Sequence, residues 1–352
     1  MTSVITRRHF LASLPALVMA PKVMAQSGNA PIRVRALNHM TLTVSDPKRS
    51  VEFYQGLFGL PIQARQGPTS LLRIGPGPQF LALSGGGANL RPGINHFCLT
   101  VENFNVDRIV TILADHGVAK SDATGGGLSG GPMKARVRVR GAESGGAKEG
   151  TPELYVGDPD GIVVQLQDTS YCGGAGALGS VCPTPEPAPR RGLLAVRNLS
   201  HFTIGVSDPP RTIAFYQALF GLEIQAHQGA SPVLGISGGP QFLMFSGGGG
   251  GRGGANPAPP RTPRIDHVCL TMENFNPDNV LKALAGYGIK PRGAATGPVG
   301  PLTSYVSMRM EDRGGAKGGT PELYFTDPDG IPIQLQDVSY CGGSGYLGNV
   351  CP

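Results

Sequence analysis

The stretch LNHMTLTVSDPKRSVEFYQGLFGLPIQARQG at residues 37–67 returns at 199–229 as LSHFTIGVSDPPRTIAFYQALFGLEIQAHQG. Three further pairs follow in the same order. HFCLTVENFN at 96–105 recurs as HVCLTMENFN at 267–276, GPQFLALSGGG recurs as GPQFLMFSGGG, and GGAKEGTPELYVGDPDGIVVQLQD recurs as GGAKGGTPELYFTDPDGIPIQLQD. Self-similarity recurring in the same order at a long, nearly constant offset marks a duplicated structural unit. The chain is a tandem duplication, with modules at 36–183 and 196–352 joined by a Pro-rich linker at 184–195 whose composition favours an extended, solvated spacer.

Within one copy the hydrophobic period alternates between two and 3.6. HMTLTV alternates as a strand, while DPKRSVEFYQGLF has helical spacing with an Asp-Pro start and Gly59 as its stop. LLRI and QFLALS read as short strands. The pattern then restarts: strand NHFCLTV, helix VDRIVTILADHG ending at Gly117, and strands near ARVRVR, PELYV and IVVQLQ. Seven strands are explicit in this pattern, and each copy is read as eight strands and two helices, an α+β class.

The N-terminus, TRRHFLASLPALVMAPKVMAQ, has paired arginines, a short apolar run broken by Pro15 and Pro21, and a small-residue end at Ala25. Such a run is too short to span a bilayer and has the three regions of an export signal. Arg7, Arg8, Phe10 and Leu11 resemble a bacterial twin-arginine signal, so residues 1–25 are expected to direct export to the periplasm or beyond, with no stable membrane insertion once the signal is cleaved. Length supports two domains. The chain is 40% hydrophobic and 15% charged, with 54 Gly and 32 Pro, which describes a loop-rich globular protein. The net charge of +6 is partly carried by the signal and linker, and no basic stripe interleaves with aromatics, so nucleic acid is not an expected partner. A small-molecule substrate is expected, and a homo-oligomer is compatible with the sequence.

Six cysteines in an exported chain raise the question of disulfides. YCGGAGALGSVCP and YCGGSGYLGNVCP end the two copies, and local bridges Cys172 to Cys182 and Cys341 to Cys351 are expected, each adding about 2–3 kcal/mol in the chain-entropy model. A metal clip is the weaker alternative, because neither loop contains a histidine. Cys98 and Cys269 are expected to stay reduced.

The histidine opening the first strand, FYQGLFGL in the first helix, the histidine of the fifth strand and DPDG before the last strand resemble the vicinal oxygen chelate superfamily of glyoxalases, bleomycin-binding proteins and extradiol dioxygenases. The resemblance spans nearly all of the chain after residue 25. It implies paired βαβββ units curled into a half-open eight-stranded barrel, with a divalent metal (Fe(II), Mn(II), Zn(II) or Ni(II)) held by the first, fifth and eighth strands. Carried over by position, the ligands are His39, His96 and Gln165 in the first copy and His201, His267 and Gln334 in the second. Four of the seven histidines fall at these positions. Two imidazoles and one oxygen leave open positions on a first-row metal, where a substrate with two adjacent oxygens can chelate.

The third ligand departs from the family, whose usual carboxylate is replaced by glutamine in VQL and IQL. A neutral amide oxygen binds a hard cation less strongly. Glu153 and Glu322 share a strand face with Tyr155 and Tyr324 and are candidate substitutes, and Cys98 and Cys269 share a face with His96 and His267. Against the extradiol dioxygenase signature, Tyr155 and Tyr324 match the tyrosine, while Lys148 and Lys317 stand where the catalytic histidine would be. Those four residues are the candidate catalytic groups. Gln79 and Gln241 are read as solvated strand-edge residues, with a fourth ligand as the alternative. The resemblance implies a metal-dependent dioxygenase, lyase or isomerase. A small-molecule binding protein of the bleomycin-resistance type is the rival, favoured by loss of the carboxylate in both copies.

Overall fold

The computed structural model describes residues 30–85, 91–122, 124–247, 262–294 and 299–352. The expected export signal lies outside these residues. The first copy folds as β1 (Val34–Val44), α1 (Pro47–Phe58), β2 (Ile62–Gln66), β3 (Thr69–Arg73), β4 (Phe80–Gly85), β5 (Gly93–Val101), α2 (Val106–Asp115), β6 (Ala119–Lys120), β7 (Lys134–Arg140), β8 (Thr151–Gly157) and β9 (Val163–Asp168). The second repeats it as β10 (Val196–Val206), α3 (Pro209–Phe220), β11 (Ile224–Gln228), β12 (Ser231–Gly235), β13 (Phe242–Gly247), β14 (Arg264–Met272), α4 (Pro277–Gly286), β15 (Lys290–Pro291), β16 (Thr303–Arg309), β17 (Thr320–Thr326) and β18 (Pro332–Asp337). The eight expected strands of each copy are present, and a two-residue edge strand makes the ninth.

Local chemistry explains the boundaries. The carboxylate of Asp46 caps α1 by accepting from the Arg49 amide at 3.1 Å, and Pro47 occupies the first turn, where no amide is needed. Gly59 ends the helix at φ 67°, and a Cβ there would meet the Gly192 nitrogen at 2.6 Å, so conformation and space both demand glycine.

Each copy forms one sheet, in the order β2-β3-β4-β1-β5-β9-β8-β7-β6 and β11-β12-β13-β10-β14-β18-β17-β16-β15. The two βαβββ units of a copy join where β1 meets β5 and β10 meets β14, both antiparallel. Because side chains alternate across a strand, one face of each sheet buries aliphatic residues and the other presents polar ones inward. The aliphatic faces of both copies merge into a single core running from Ile32 to Leu335. Phe97 stacks on Phe202 across it at 4.9 Å, a pair that adds about 0.5–1.5 kcal/mol beyond area burial.

Polar ties between the copies are reciprocal. Gln79 donates to the Leu37 carbonyl at 2.8 Å and accepts from the Leu199 amide at 3.0 Å; Gln241 donates to the Leu199 carbonyl at 2.7 Å and accepts from the Leu37 amide at 3.0 Å. The expectation of solvated edge residues or a fourth ligand is corrected: both amides satisfy backbone groups freed at β-bulges in β1 and β10. Each DPDG turn also grips the other copy. Asp329 accepts from the Ser45 amide and hydroxyl and from Arg49 at the start of α1, and Asp160 does the same for Ser207 and Arg211 at the start of α3. The linker is not a free spacer. Glu186 exchanges backbone hydrogen bonds with Ile62 at 2.8 Å each and pairs with Arg65, and the Leu194 amide donates to the Leu57 carbonyl at 3.0 Å.

Both expected disulfides are present, Cys172–Cys182 and Cys341–Cys351, and Cys98 and Cys269 are free and buried. No described helix is long and apolar enough to cross a membrane.

Candidate metal centres

On the inward face, β-register sets the site. His39 stands opposite Cys98, Cys98 beside Gln165, and Gln165 opposite Tyr155, so one row of the sheet runs from β1 to β8. His96 lies one row away, opposite Thr41. The curl brings three side chains together: His39 Nε2 and His96 Nε2 lie 3.0 and 3.1 Å from Gln165 Oε1. In the second copy His267 Nε2 lies 3.1 Å from Gln334 Oε1, and the rings of His201 and His267 are 5.6 Å apart, as are those of His39 and His96.

Neighbours fix the ring tautomers. Asn38 Oδ1 accepts from His39 Nδ1 at 2.8 Å, and Asn95 Oδ1 accepts from His96 Nδ1 at 2.8 Å. With hydrogen on Nδ1, each Nε2 presents a lone pair inward. His39 and His201 are held well below the usual histidine range by burial and then by the charge of the second histidine, and burial lowers His96 to about 4. These imidazoles are therefore neutral at neutral pH, the form that binds metal. In the second copy Asp266 Oδ2 sits 3.1 Å from His267 Nδ1; against its burial, that histidine and Arg264 hold the carboxyl at about 2. A carboxylate behind a histidine orients the ring and raises its basicity as a ligand.

Lone pairs of His39 Nε2, His96 Nε2 and Gln165 Oε1 repel unless a cation or donor lies between them; the Thr41 hydroxyl, 3.2 Å from His96 Nε2, can donate to that one nitrogen and leaves the other two atoms facing each other. Ligand atoms at about 2.1 Å from a metal and at right angles are about 3.0 Å apart, which the 3.0 and 3.1 Å separations match. With the amide oxygens turned to the histidines, Gln165 Nε2 and Gln334 Nε2 are buried without a partner, a cost that a cation held by the oxygen would offset. The residues present fit a divalent metal with two nitrogens and one neutral oxygen. Among the described residues no group of three or more His, Cys, Asp and Glu side chains converges as a metal site.

The carboxylate substitutes are committed elsewhere. Glu153 faces inward, but its Oε1 accepts from Arg140 Nε at 2.8 Å and the Tyr171 hydroxyl at 2.9 Å, and its Oε2 accepts from the Tyr155 hydroxyl at 3.0 Å. Glu322 is bound by Arg309 at 2.7 Å, Tyr340 at 3.1 Å and Tyr324 at 3.4 Å. Arg309 is fully buried and also holds the Gly343 carbonyl in the disulfide loop at 2.9 Å, as Arg140 holds Gly174 at 3.0 Å. Cys98 lies on the inner face but its burial pushes the thiol up, away from the thiolate a metal needs.

Tyr155 and Tyr324 line the cavities above the triplets, with rings 5.4 and 5.2 Å from those of His96 and His267. Burial and then the nearby glutamate push both phenols up, so they stay protonated and act as donors. Lys148 and Lys317 are corrected: both are exposed and line neither cavity. The reason is local. The Ala147 amide donates to Thr151 Oγ1 and the Gly150 amide to the Ala147 carbonyl, closing a turn with Lys148 at its tip, and Ala316, Thr320 and Gly319 repeat this around Lys317.

The first cavity has a volume of about 470 Å³ and takes in the whole His39, His96 and Gln165 triplet. The second, about 600 Å³, reaches Pro92 and Ile94 of the first copy and takes in His267 but neither His201 nor Gln334. Two features were not anticipated. Phe80 and Phe242 stack on His39 and His201 at 4.3 and 4.2 Å, and the tyrosines before the disulfides pack on the same rings at 5.7 and 5.6 Å. A phenylalanine two residues after GP in each repeat was the available signal.

A model of the Glyoxalase/Bleomycin resistance protein/Dioxygenase superfamily matches residues 36–166 and 198–335. The chain belongs to that superfamily. Two tandem vicinal-oxygen-chelate modules, as expected, make up its fold. Solved structures with the same fold include a catechol 2,3-dioxygenase (16% identity, 89% of each chain covered, TM-score 0.52) and an extradiol ring-cleaving dioxygenase from B. fuscum (17% identity, 92% of this chain and 75% of that one, TM-score 0.55). A Mn(II)-bound glyoxalase from Novosphingobium aromaticivorans also matches, at 13% identity over 86% of this chain and 82% of that one, with TM-score 0.52. No curated protein sequence matches this chain.

Proposed function

We propose that this superfamily member is an exported metal-dependent enzyme acting on a small substrate with two adjacent oxygens, in a dioxygenase-like or a lyase or isomerase reaction. The observation that carries this reading is the meeting of His39 Nε2, His96 Nε2 and Gln165 Oε1 at the spacing of metal ligands. A divalent metal on these atoms supplies Lewis acidity to a chelating substrate. His39, His96 and Gln165 are all neutral donors and would leave the charge of a divalent ion uncompensated.

The protein's own groups do the rest. Asn38 and Asn95 hold the imidazole tautomers, and Phe80 and Tyr171 fix the plane of His39. Tyr155 presents its hydroxyl from the cavity wall, its proton donated to Glu153, so that the phenol oxygen is placed to accept from a substrate hydroxyl. Glu153, neutralised by Arg140, holds this tyrosine and does not serve as the base. Export is supported by the N-terminal pattern and is consistent with the two disulfides.

A second reading has its own support. Turned by half a rotation, the Gln165 amide would donate from its NH2 to both Nε2 lone pairs and satisfy the triplet without any ion, as a metal-free binding cleft would require. Titration with 4-nitrocatechol separates the two. A visible absorbance shift that depends on added metal is expected; binding with no metal-dependent shift would favour the cleft.

A further inference from the structure

Resting on the chelate reading above, we propose that Asn38 is a positioning residue that ties the metal affinity of the first module to its disulfide loop, and that the second module lacks this tie. Asn38 is buried between His39 and the loop. Its Oδ1 accepts from His39 Nδ1 at 2.8 Å, and its Nδ2 donates to the Tyr171 carbonyl at 2.9 Å. A side-chain amide has one accepting and one donating edge, so the Tyr171 carbonyl, which only accepts, dictates which edge faces the imidazole. The loop thereby keeps hydrogen on Nδ1 and the lone pair of Nε2 turned toward Gln165.

The Tyr171 carbonyl is the first of a series. Gln63 donates to the Cys172 carbonyl at 2.7 Å, Gln66 to Gly173 at 3.0 Å, Arg140 to Gly174 at 3.0 Å and Thr151 to Gly176 at 2.8 Å. The stretch between the cysteines holds Gly173, Gly174, Gly176 and Gly179, residues whose backbone freedom is large unless the chain is cross-linked. The Cys172–Cys182 bond supplies that constraint, and the chain is wound closely against it: a Cβ on Gly174 would lie 2.7 Å from Cys182 Sγ. Inside the loop the Cys172 and Gly174 amides both donate to the Gly179 carbonyl, at 3.0 and 3.1 Å.

The second copy repeats four of these five carbonyl contacts: Gln225, Gln228, Arg309 and Thr320 donate to the carbonyls of Cys341, Gly342, Gly343 and Gly345 at 2.8, 3.3, 2.9 and 2.7 Å. The one not repeated is the contact that leads to a histidine of the triplet. Ser200 stands where Asn38 does, its hydroxyl lies 3.2 Å from His201 Nδ1, and among the described residues no side chain donates to the Tyr340 carbonyl. Ser200 and Tyr340 line a cavity of about 310 Å³. A hydroxyl rotates and can accept or donate, so it serves His201 without reference to the loop.

The test measures Zn(II) affinity by calorimetry in the full chain, with His201→Ala isolating the first site and His39→Ala the second. Loss of a group that orients a metal-bound histidine corresponds to about a 10- to 100-fold weaker metal affinity. Asn38→Ala is expected to weaken the first site by that factor, and opening its loop with Cys172→Ser and Cys182→Ser to weaken it in the same range. Adding Asn38→Ala to the opened loop should change affinity by less than about twofold, because both act through one amide, and Cys341→Ser with Cys351→Ser should leave the second site within the same margin. Should either cysteine pair be needed for folding, Gln63→Ala and Gln225→Ala, which free the Cys172 and Cys341 carbonyls with the disulfides intact, replace them with the same expectations. A first site indifferent to its loop, equal weakening of both sites by their loops, or full additivity with Asn38→Ala would overturn the assignment. If the chain takes up no zinc the chelate reading falls, and 15N spectra of the histidine rings decide. Opening the first loop should then shift His39 from a single Nδ1–H tautomer to a mixture while opening the second leaves His201 unchanged; an unmoved His39, or a shift in both, removes the coupling.

Discussion

Asp158→Asn should make this protein more stable at neutral pH, although it removes a buried, hydrogen-bonded carboxylate. Asp158 is fully buried where the DPDG turn of the first copy meets α3 of the second. Its Oδ1 accepts from the Asp160 and Ile162 amides at 2.9 Å each, and its Oδ2 faces the Tyr216 hydroxyl at 3.4 Å. Burial outweighs those bonds and pushes the carboxyl up from 3.8 to about 6, and Asp327 beside Tyr54 is pushed to about 6 in the same way.

Between those values the folded chain holds a proton that the unfolded chain has lost, so this contribution to stability is full below about pH 4 and falls as pH rises through 6. At about 1.4 kcal/mol per pH unit, two units correspond to a penalty of about 3 kcal/mol at pH 8 for each carboxyl. Asparagine keeps an oxygen for both amides and carries no charge to desolvate. The buried imidazoles His39, His96 and His201 act in the opposite sense, since their lowered values add stability as pH rises. The difference between variant and wild type isolates the aspartate. Equilibrium urea unfolding from pH 4 to pH 8 is expected to show that difference moving by about 3 kcal/mol in favour of Asp158→Asn. A difference that stays constant with pH would mean that Asp158 is not held protonated in the fold.

Three further outcomes follow from the contacts. Gln79→Ala leaves the Leu199 amide and Leu37 carbonyl unpaired between the copies and should lower stability by about 2–4 kcal/mol, read by chemical denaturation; a loss below half a kcal/mol would mean water replaces the amide. Glu322→Leu strands the buried Arg309 guanidinium and should cost about 3–5 kcal/mol in the same assay, whereas a neutral effect would show that Arg309 finds water. Gln334→Glu adds a charge to the second triplet, so divalent metal should bind more tightly in calorimetry and raise the melting temperature further than in wild type. Unchanged affinity with a lower melting temperature would favour a metal-free cleft.

The fold was legible because duplication let each weak local signal be read twice. His39 and His201 open equivalent strands, Asp46-Pro47 and Asp208-Pro209 open equivalent helices, and the cysteine loops close both copies at the same spacing. The histidine and glutamine triplets could be placed because strand alternation carries them to one face. What could not be read depends on partners far away in sequence. Nothing local in GPQFL tells that Gln79 reaches Leu199, 120 residues on, or that Asp329 closes on Ser45, 284 residues back. Lys148 was misplaced because alignment to a signature gives position along the chain, while a tight turn decides which way the tip points. ARVRVR announced a strand, but which of its arginines remained unengaged depended on Glu153 and on the Gly125–Gly127 loop.

If the two triplets are metal ligands, metal stoichiometry will show it. Anaerobic titration of the purified chain with Fe(II), Mn(II) or Zn(II), followed by desalting and elemental analysis, is expected to give two equivalents per chain. His39→Ala and His201→Ala should each lower this to one, and the double variant should retain none. A wild-type chain that holds no metal after titration, or one whose metal content is unaffected by either histidine, would mean that the triplets are not metal ligands.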